Sequence, residues 1–309
     1  MKRDIFICSK PLQYFNLRNI AYEHADAEKI LIIHGRFIQA RTFFERVKQY
    51  DSTWDRVVFV RCWAELYTYL FFHPAQRLIA ENDKSFVYGI FHVLRRFRQL
   101  YIFEEGFGSY RTDRVDDSKG LKFLINRLTG VGRHVGFSSF LSGQYLYLPE
   151  LYKRQFPDYQ KPLYSFASPF VDRLFEELPL FMQLSDGYDE FIALKDQKIA
   201  IYLTSHVVNS SMIKELKSRE KGFDITYVKP HPHLKDLDEF RQYNLPVIRS
   251  NIMMEFLFVL LLKNNNQLTV FHENSTSVIW FQNKIECINM GAKFQAYDIV
   301  ADYVIGNEK

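Results

Sequence analysis

KIAIYL at Lys198–Leu203 opens a series of short apolar runs that continues through DITYV at Asp224–Val228, PVI at Pro246–Ile248, LTVF at Leu268–Phe271 and IECIN at Ile285–Asn289. Stretches of helical periodicity separate them. Continuous apolar runs of this length read as strands buried on both faces, and their alternation with helices is the pattern of a parallel α/β sheet. The first half of the chain carries the same pattern. Asp4–Cys8, Lys29–Ile33, Arg56–Val60, Gln99–Phe103 and Gln144–Leu148 read as strands, with Leu12–His24, Phe37–Gln49 and Cys62–Leu78 as crossover helices. Pro149, Pro157, Pro162 and Pro169 punctuate the middle, and helical patterns at Val171–Gln183 and Tyr188–Lys195 follow. These signals predict two doubly wound α/β halves, residues 1–157 and residues 158–309, the second including its linker helices.

Composition narrows the class. The 309 residues are 47% hydrophobic and 25% charged, which excludes disordered and collagen-like chains. Phe 29 and Tyr 19 lift the aromatic share to 17%, which serves core packing first and leaves sugar stacking or membrane-surface contact open. Lys+Arg 40 against Asp+Glu 36 gives a net charge of +4, too small for a dedicated nucleic-acid binder but compatible with anionic substrates or lipid surfaces. Cys8, Cys62 and Cys287 lack C-x-x-C spacing, so neither a disulfide framework nor a zinc site is expected and a reducing cytoplasm fits. MKRDIFICSKPLQYF reads as a first strand rather than a signal peptide, because its apolar stretch is short and lacks a small-residue cleavage site. The apolar run Ile252–Leu262 is interrupted by Glu255 and falls short of the ~18 residues of a spanning helix. Arg95, Arg96 and Arg98 beside Phe91, Val93, Leu94 and Phe97 form a basic amphipathic segment, either a solvated face or a contact for anionic headgroups.

Four places carry chemistry. LYIFEEGFGSY at Leu100–Tyr110 puts Glu104, Glu105 and Gly106 where a strand ends in a glycine-bearing loop, the position at which open α/β sheets bind ligands. Adjacent carboxylates there point different ways, so one can face a cleft as a general base while the other packs; an acidic surface turn is the competing reading. Lys229-Pro230-His231-Pro232-His233 follows DITYV, and prolines on both sides stiffen His231, either for a placed acid or merely for a rigid turn. A metal held by His231 and His233 lacks supporting ligands of recognised spacing. Ser275, Thr276 and Ser277 follow LTVF, as an anion site at a helix start or as a plain N-cap. Glu255 lies inside an apolar run, where a carboxylate needs a partner such as two ribose hydroxyls, or an exposed helix face.

In order and spacing, Glu104-Glu105-Gly106, His231-Pro232 and Ser275-Thr276-Ser277 resemble the acidic-acidic-Gly, His-Pro and Ser/Thr motifs of bacterial sialyltransferases in glycosyltransferase families 52, 38 and 80. The opening strand with Lys10-Pro11-Leu12-Gln13, and Tyr147-Leu148-Pro149-Glu150-Leu151-Tyr152, are similar to family 52 in particular. The resemblance implies a GT-B fold of two Rossmann-like domains facing a central cleft, with CMP-sialic acid held mainly by the second. It also implies inverting, metal-independent transfer to a galactose-terminated glycan of lipooligosaccharide or capsule, with no cofactor. Carried over residue by residue, Glu105 is the general base and His231 assists CMP departure. Glu104, Gly106, Lys229, Pro232, Glu255, Ser275, Thr276 and Ser277 fall on the donor side. A homodimer and a peripheral location on the inner face of the cytoplasmic membrane belong to the same expectation. The chain departs from some family 52 members at Thr204–Asn209, which holds no carboxylate. The alternatives are transfer of another activated sugar (Kdo, or polysialic acid synthesis) and non-catalytic glycan binding.

Overall fold

The computed structural model describes residues 2–24, 26–205, 210–231, 234, 240, 242–249 and 251–307. They form two compact units that divide between Pro169 and Phe170.

The first unit is a seven-stranded, wholly parallel sheet. Its strands are β1 (Arg3–Cys8), β2 (Glu28–His34), β3 (Arg56–Val60), β4 (Ala75–Ala80), β5 (Phe97–Phe103), β6 (Leu141–Leu146) and β7 (Leu163–Ser165). Their spatial order is β3-β2-β1-β4-β5-β6-β7. Strand β1 buries five of its six residues, which is why RDIFIC is nearly continuous in hydrophobicity rather than alternating. Ile5, Ile7, Ile30, Ile32, Leu78 and Leu100 pack on one face of the sheet.

Two features differ from the expectation. The pattern over Cys62–Leu78 is a helix only at Trp63–Phe72, because Pro74 biases His73 away from helical geometry (φ −121°, ψ 81°) and releases AQRLIA as β4. The first unit also extends past residue 157: Leu163–Ser165 adds to β6 as a seventh strand, in register from Gln144↔Leu163 to Leu146↔Ser165.

The second unit is a four-stranded parallel sheet of β8 (Lys198–Leu203), β9 (Ile225–Lys229), β10 (Gln267–His272) and β11 (Glu286–Asn289), ordered β11-β10-β8-β9. Pro246–Ile248 contributes a single bridge, Val228↔Val247, rather than a strand. The helix Met254–Lys263 is buried almost all round, stacking Phe256 on Phe181 of the helix Phe170–Leu184 at 3.9 Å between ring centroids. A helix apolar on every side belongs inside a fold, and this one carries Glu255 in with it.

Candidate active site

In each sheet the strand order reverses between neighbours whose crossovers lie on opposite faces, and the carboxyl ends of such neighbours diverge into a crevice. In the first sheet these neighbours are β1 and β4; in the second they are β8 and β10. The sequence motifs sit at both.

At the first crevice Ser9 follows β1, Glu81 follows β4 and Glu104-Glu105 follow β5. Ser9 donates its backbone N–H to Gln13 Oε1 at 2.8 Å, and its hydroxyl lies 2.7 Å from Glu81 Oε2. With its oxygen accepting from Ser9, the Gln13 amide turns its NH₂ to two carboxylates, reaching Glu105 Oε1 at 2.9 Å and also Glu81 Oε2. The Lys10 ammonium completes the group through an ion pair with Glu105. Gln13 is held rigidly because it belongs to Pro11–Ala21, a helix buried from Gln13 to Ala21. Glu105 itself keeps its side chain 36% exposed.

Glu104 has the opposite surroundings. It is 1% exposed, and its carboxyl oxygen accepts from the Tyr147 backbone N–H at 2.9 Å and from the Tyr110 hydroxyl, which in turn accepts from Leu148 N–H at 3.0 Å. Desolvation pushes its pKa up to about 8, so it is a neutral acid at physiological pH. Glu104 thereby fastens the end of β5 to the chain leaving β6, and Glu105 is the member of the pair that meets solvent. Gly106 is buried with φ 71°, a left-handed conformation that starts the short turn Gly106–Tyr110, within which Ser109 Oγ accepts from Glu105 N–H at 3.1 Å.

The second crevice is a row set by register: Lys229 lies opposite Leu203, Leu203 opposite His272, and His272 opposite Asn289. Thr204, one residue beyond β8, bridges two of these ends. Its N–H donates to Lys229 O at 3.1 Å, and its Oγ1 accepts from His231 N–H at 2.9 Å. The proline-flanked backbone of His231 is thus tied to the neighbouring strand. Lys229 is 7% exposed and donates to Arg249 O, and burial lowers its pKa to about 8, opposed by the nearby Glu255 carboxylate. Glu255, also 7% exposed, accepts from Ser277 Oγ at 2.7 Å, and desolvation holds its pKa above the ordinary carboxylate range.

Of the Ser/Thr cluster, Ser277 is therefore engaged with Glu255, while the hydroxyls of Ser275 and Thr276 make no hydrogen bond among the described residues. The segment Thr276–Phe281 is a 3₁₀ turn rather than the expected α-helix. Asn274, at φ 54°, turns the chain here and exchanges hydrogen bonds with Asn289. His272 is 1% exposed, and desolvation lowers its pKa to about 4, so it is neutral. His206, Pro232 and His233 lie outside the described residues.

No protein-family model and no curated protein matches the chain. Solved structures do. UDP-N-acetylglucosamine 2-epimerase from Rickettsia bellii matches with a TM-score of 0.56 at 13% identity, covering 100% of this chain and 90% of that one. UDP-GlcNAc 2-epimerase from Neisseria meningitidis bound to UDP-GlcNAc gives 0.58 at 10% identity, covering 99% and 91%. TcCGT1 in complex with UDP gives 0.52 at 11% identity, covering 100% and 84%. The fold is GT-B.

Within this GT-B chain, Ser9, Glu81 and Thr204 join the candidate sites without being singled out from the sequence, and Gln13 is noted there only within Lys10-Pro11-Leu12-Gln13. Glu81 was hidden because AQRLIA read as the end of a helix; the proline before it was the available signal. A surface cavity of about 420 Å³ lined by Asp196, Lys198, Asp224 and Gln267 lies at the opposite, amino-terminal end of the second sheet, away from these residues. Parallel sheets bind ligands at the other edge. Among the described residues, no three His, Cys, Asp or Glu side chains cluster as metal ligands, and no helix is long and apolar enough to cross a membrane.

Proposed function

We propose that this chain is an inverting glycosyltransferase that moves sialic acid from CMP-sialic acid to a galactose-terminated glycan of lipooligosaccharide or capsule. The observation that supports it most is the second crevice. Its row of Lys229, Thr204-braced His231, the two unengaged hydroxyls of Ser275 and Thr276, and the Ser277–Glu255 pair offers cationic, hydroxyl and carboxylate groups along one sheet edge. A nucleoside monophosphate leaving group carries one phosphate, whose developing charge is met by preorganised donors. His231 and the Ser275 and Thr276 hydroxyls take that phosphate, Lys229 adds positive charge, and Glu255 takes the ribose hydroxyls.

Glu105 is the base in this scheme. It removes the proton from the acceptor hydroxyl as that oxygen attacks the anomeric carbon, and the bond to CMP breaks through an oxocarbenium-like transition state with inversion. Gln13 and Lys10 hold its carboxylate, Glu81 holds the Gln13 amide, and Glu104 holds the strand end from which it projects. Transfer proceeds in EDTA under this reading.

A second reading has an observation of its own: the solved structures of like fold carry UDP-GlcNAc or UDP. In that reading the donor is a nucleoside diphosphate sugar. Melting curves with CMP, UDP, CMP-sialic acid and CMP-Kdo separate the readings. Stabilisation by CMP and CMP-sialic acid but not UDP supports ours; stabilisation by UDP alone, or by no nucleotide, overturns it.

A further inference from the structure

The helix Gly120–Leu128 is packed the wrong way round for a soluble surface helix. Its one buried residue is Asn126, whereas Leu121, Leu124 and Leu128, spaced to share a face, are 72%, 50% and 76% exposed. The neighbouring helix Phe86–Val93 buries Tyr88, Gly89 and Phe91 and still leaves Phe86, Ile90 and Val93 exposed at positions i, i+4 and i+7.

The two helices are in contact: a methyl group at Gly89 would overlap Thr129, the cap of the second helix. The end of Trp63–Phe72 joins them, with exposed Phe71 6.3 Å from Phe91 between ring centroids. Three neighbouring helices of the first unit therefore leave large apolar side chains in solvent. Exposed apolar side chains in such number mark interaction sites on soluble proteins.

Charge says what covers it. Residues 84–103 contain Lys84, Arg95, Arg96 and Arg98 and no Asp or Glu; residues 118–135 contain Lys119, Lys122, Arg127 and Arg133 and again no acid. Arg96 lies over the Phe71 ring at 5.4 Å, Arg95, Arg98 and Arg127 are exposed, and the exposed Lys122 and Arg133 pair with Asp116 and Asp117. A second copy docking through the same face would set cation against cation. Apolar side chains rimmed by cations match an anionic bilayer, whose acyl boundary takes the former and whose headgroups take the latter.

We propose that the face formed by Phe86–Val93, Gly120–Leu128 and the end of Trp63–Phe72 docks the protein on an anionic phospholipid surface. The proposal stands apart from the catalytic reading, since no residue of either crevice takes part.

Vesicle flotation tests it with the full chain. The protein floats with phosphatidylcholine vesicles containing phosphatidylglycerol, floats poorly with phosphatidylcholine alone, and is released by salt. Each exposed cation replaced by Glu, Arg98→Glu or Arg127→Glu, weakens binding about fivefold or more, and Leu124→Glu with Leu128→Glu abolishes it. All four side chains are exposed, so melting temperatures stay unchanged. Equal flotation with neutral and anionic vesicles overturns the proposal, as does absence of flotation. So does a dimer in sedimentation that Leu124→Glu with Leu128→Glu dissociates while flotation is unaffected.

Discussion

Glu104 and Glu105 are adjacent in the chain and opposite in surroundings, and that difference assigns their work. Glu105 is half-exposed and touched by Lys10 and Gln13. Replacing it with Gln keeps the shape and most of the hydrogen bonding while removing the base, so transfer should fall by about 10²-fold or more with CMP affinity nearly unchanged. Single-turnover rates and calorimetric CMP binding measure the two separately; unchanged transfer removes Glu105 from the mechanism. Glu104 is raised from the usual 4.5 to about 8, so the folded first unit binds a proton that the unfolded chain has released. Its contribution to stability is fully present below pH 4.5 and is lost as pH rises through 8. Glu104→Gln mimics the neutral acid. Its melting temperature should stay near wild type at pH 5 and gain on wild type toward pH 8; parallel profiles would contradict the assignment.

At the scale of elements, sequence legibility depended on where apolar side chains went. Lys198–Leu203 and Arg56–Val60 are legible to the residue because both are short aliphatic runs, the first buried at five of its six positions and the second half-buried at the edge of its sheet. Strand β4 was not, since its residues continue a helical periodicity that only Pro74 interrupts. The same oversight concealed Glu81, although Glu105 beside it was legible from the strand-then-glycine pattern. Thr204 was illegible for another reason: nothing local tells that a threonine after β8 will brace the backbone after β9. Thr204→Val keeps the shape and leaves His231 N–H without that acceptor. We expect it to cost about 1–2 kcal/mol in urea denaturation and to weaken CMP binding severalfold. His231→Ala should impair donor binding and turnover without shifting the melting temperature. If it shifts only the melting temperature, the histidine serves the turn alone.

Across the whole molecule, two parallel sheets each place polar groups at their own topological switch point, and the resemblance to sialyltransferases uses both places. Two buried groups, one in each unit, respond to pH in opposite senses. His272 in the second unit is lowered from 6.5 to about 4, so its contribution is present above pH 6.5 and lost as pH falls through 4, contrary to the direction set by Glu104 in the first. Hydrogen exchange followed across pH reads this unit by unit. The account's central claim concerns what the GT-B chain transfers. Incubation with CMP-sialic acid and a panel of galactose-terminated glycans, followed by mass spectrometry, tests it directly. The account predicts an acceptor heavier by one sialic acid residue, stoichiometric CMP, persistence in EDTA and loss in Glu105→Gln. A CMP-sialic acid donor left intact beside every acceptor, with a UDP-sugar consumed in its place, would contradict it.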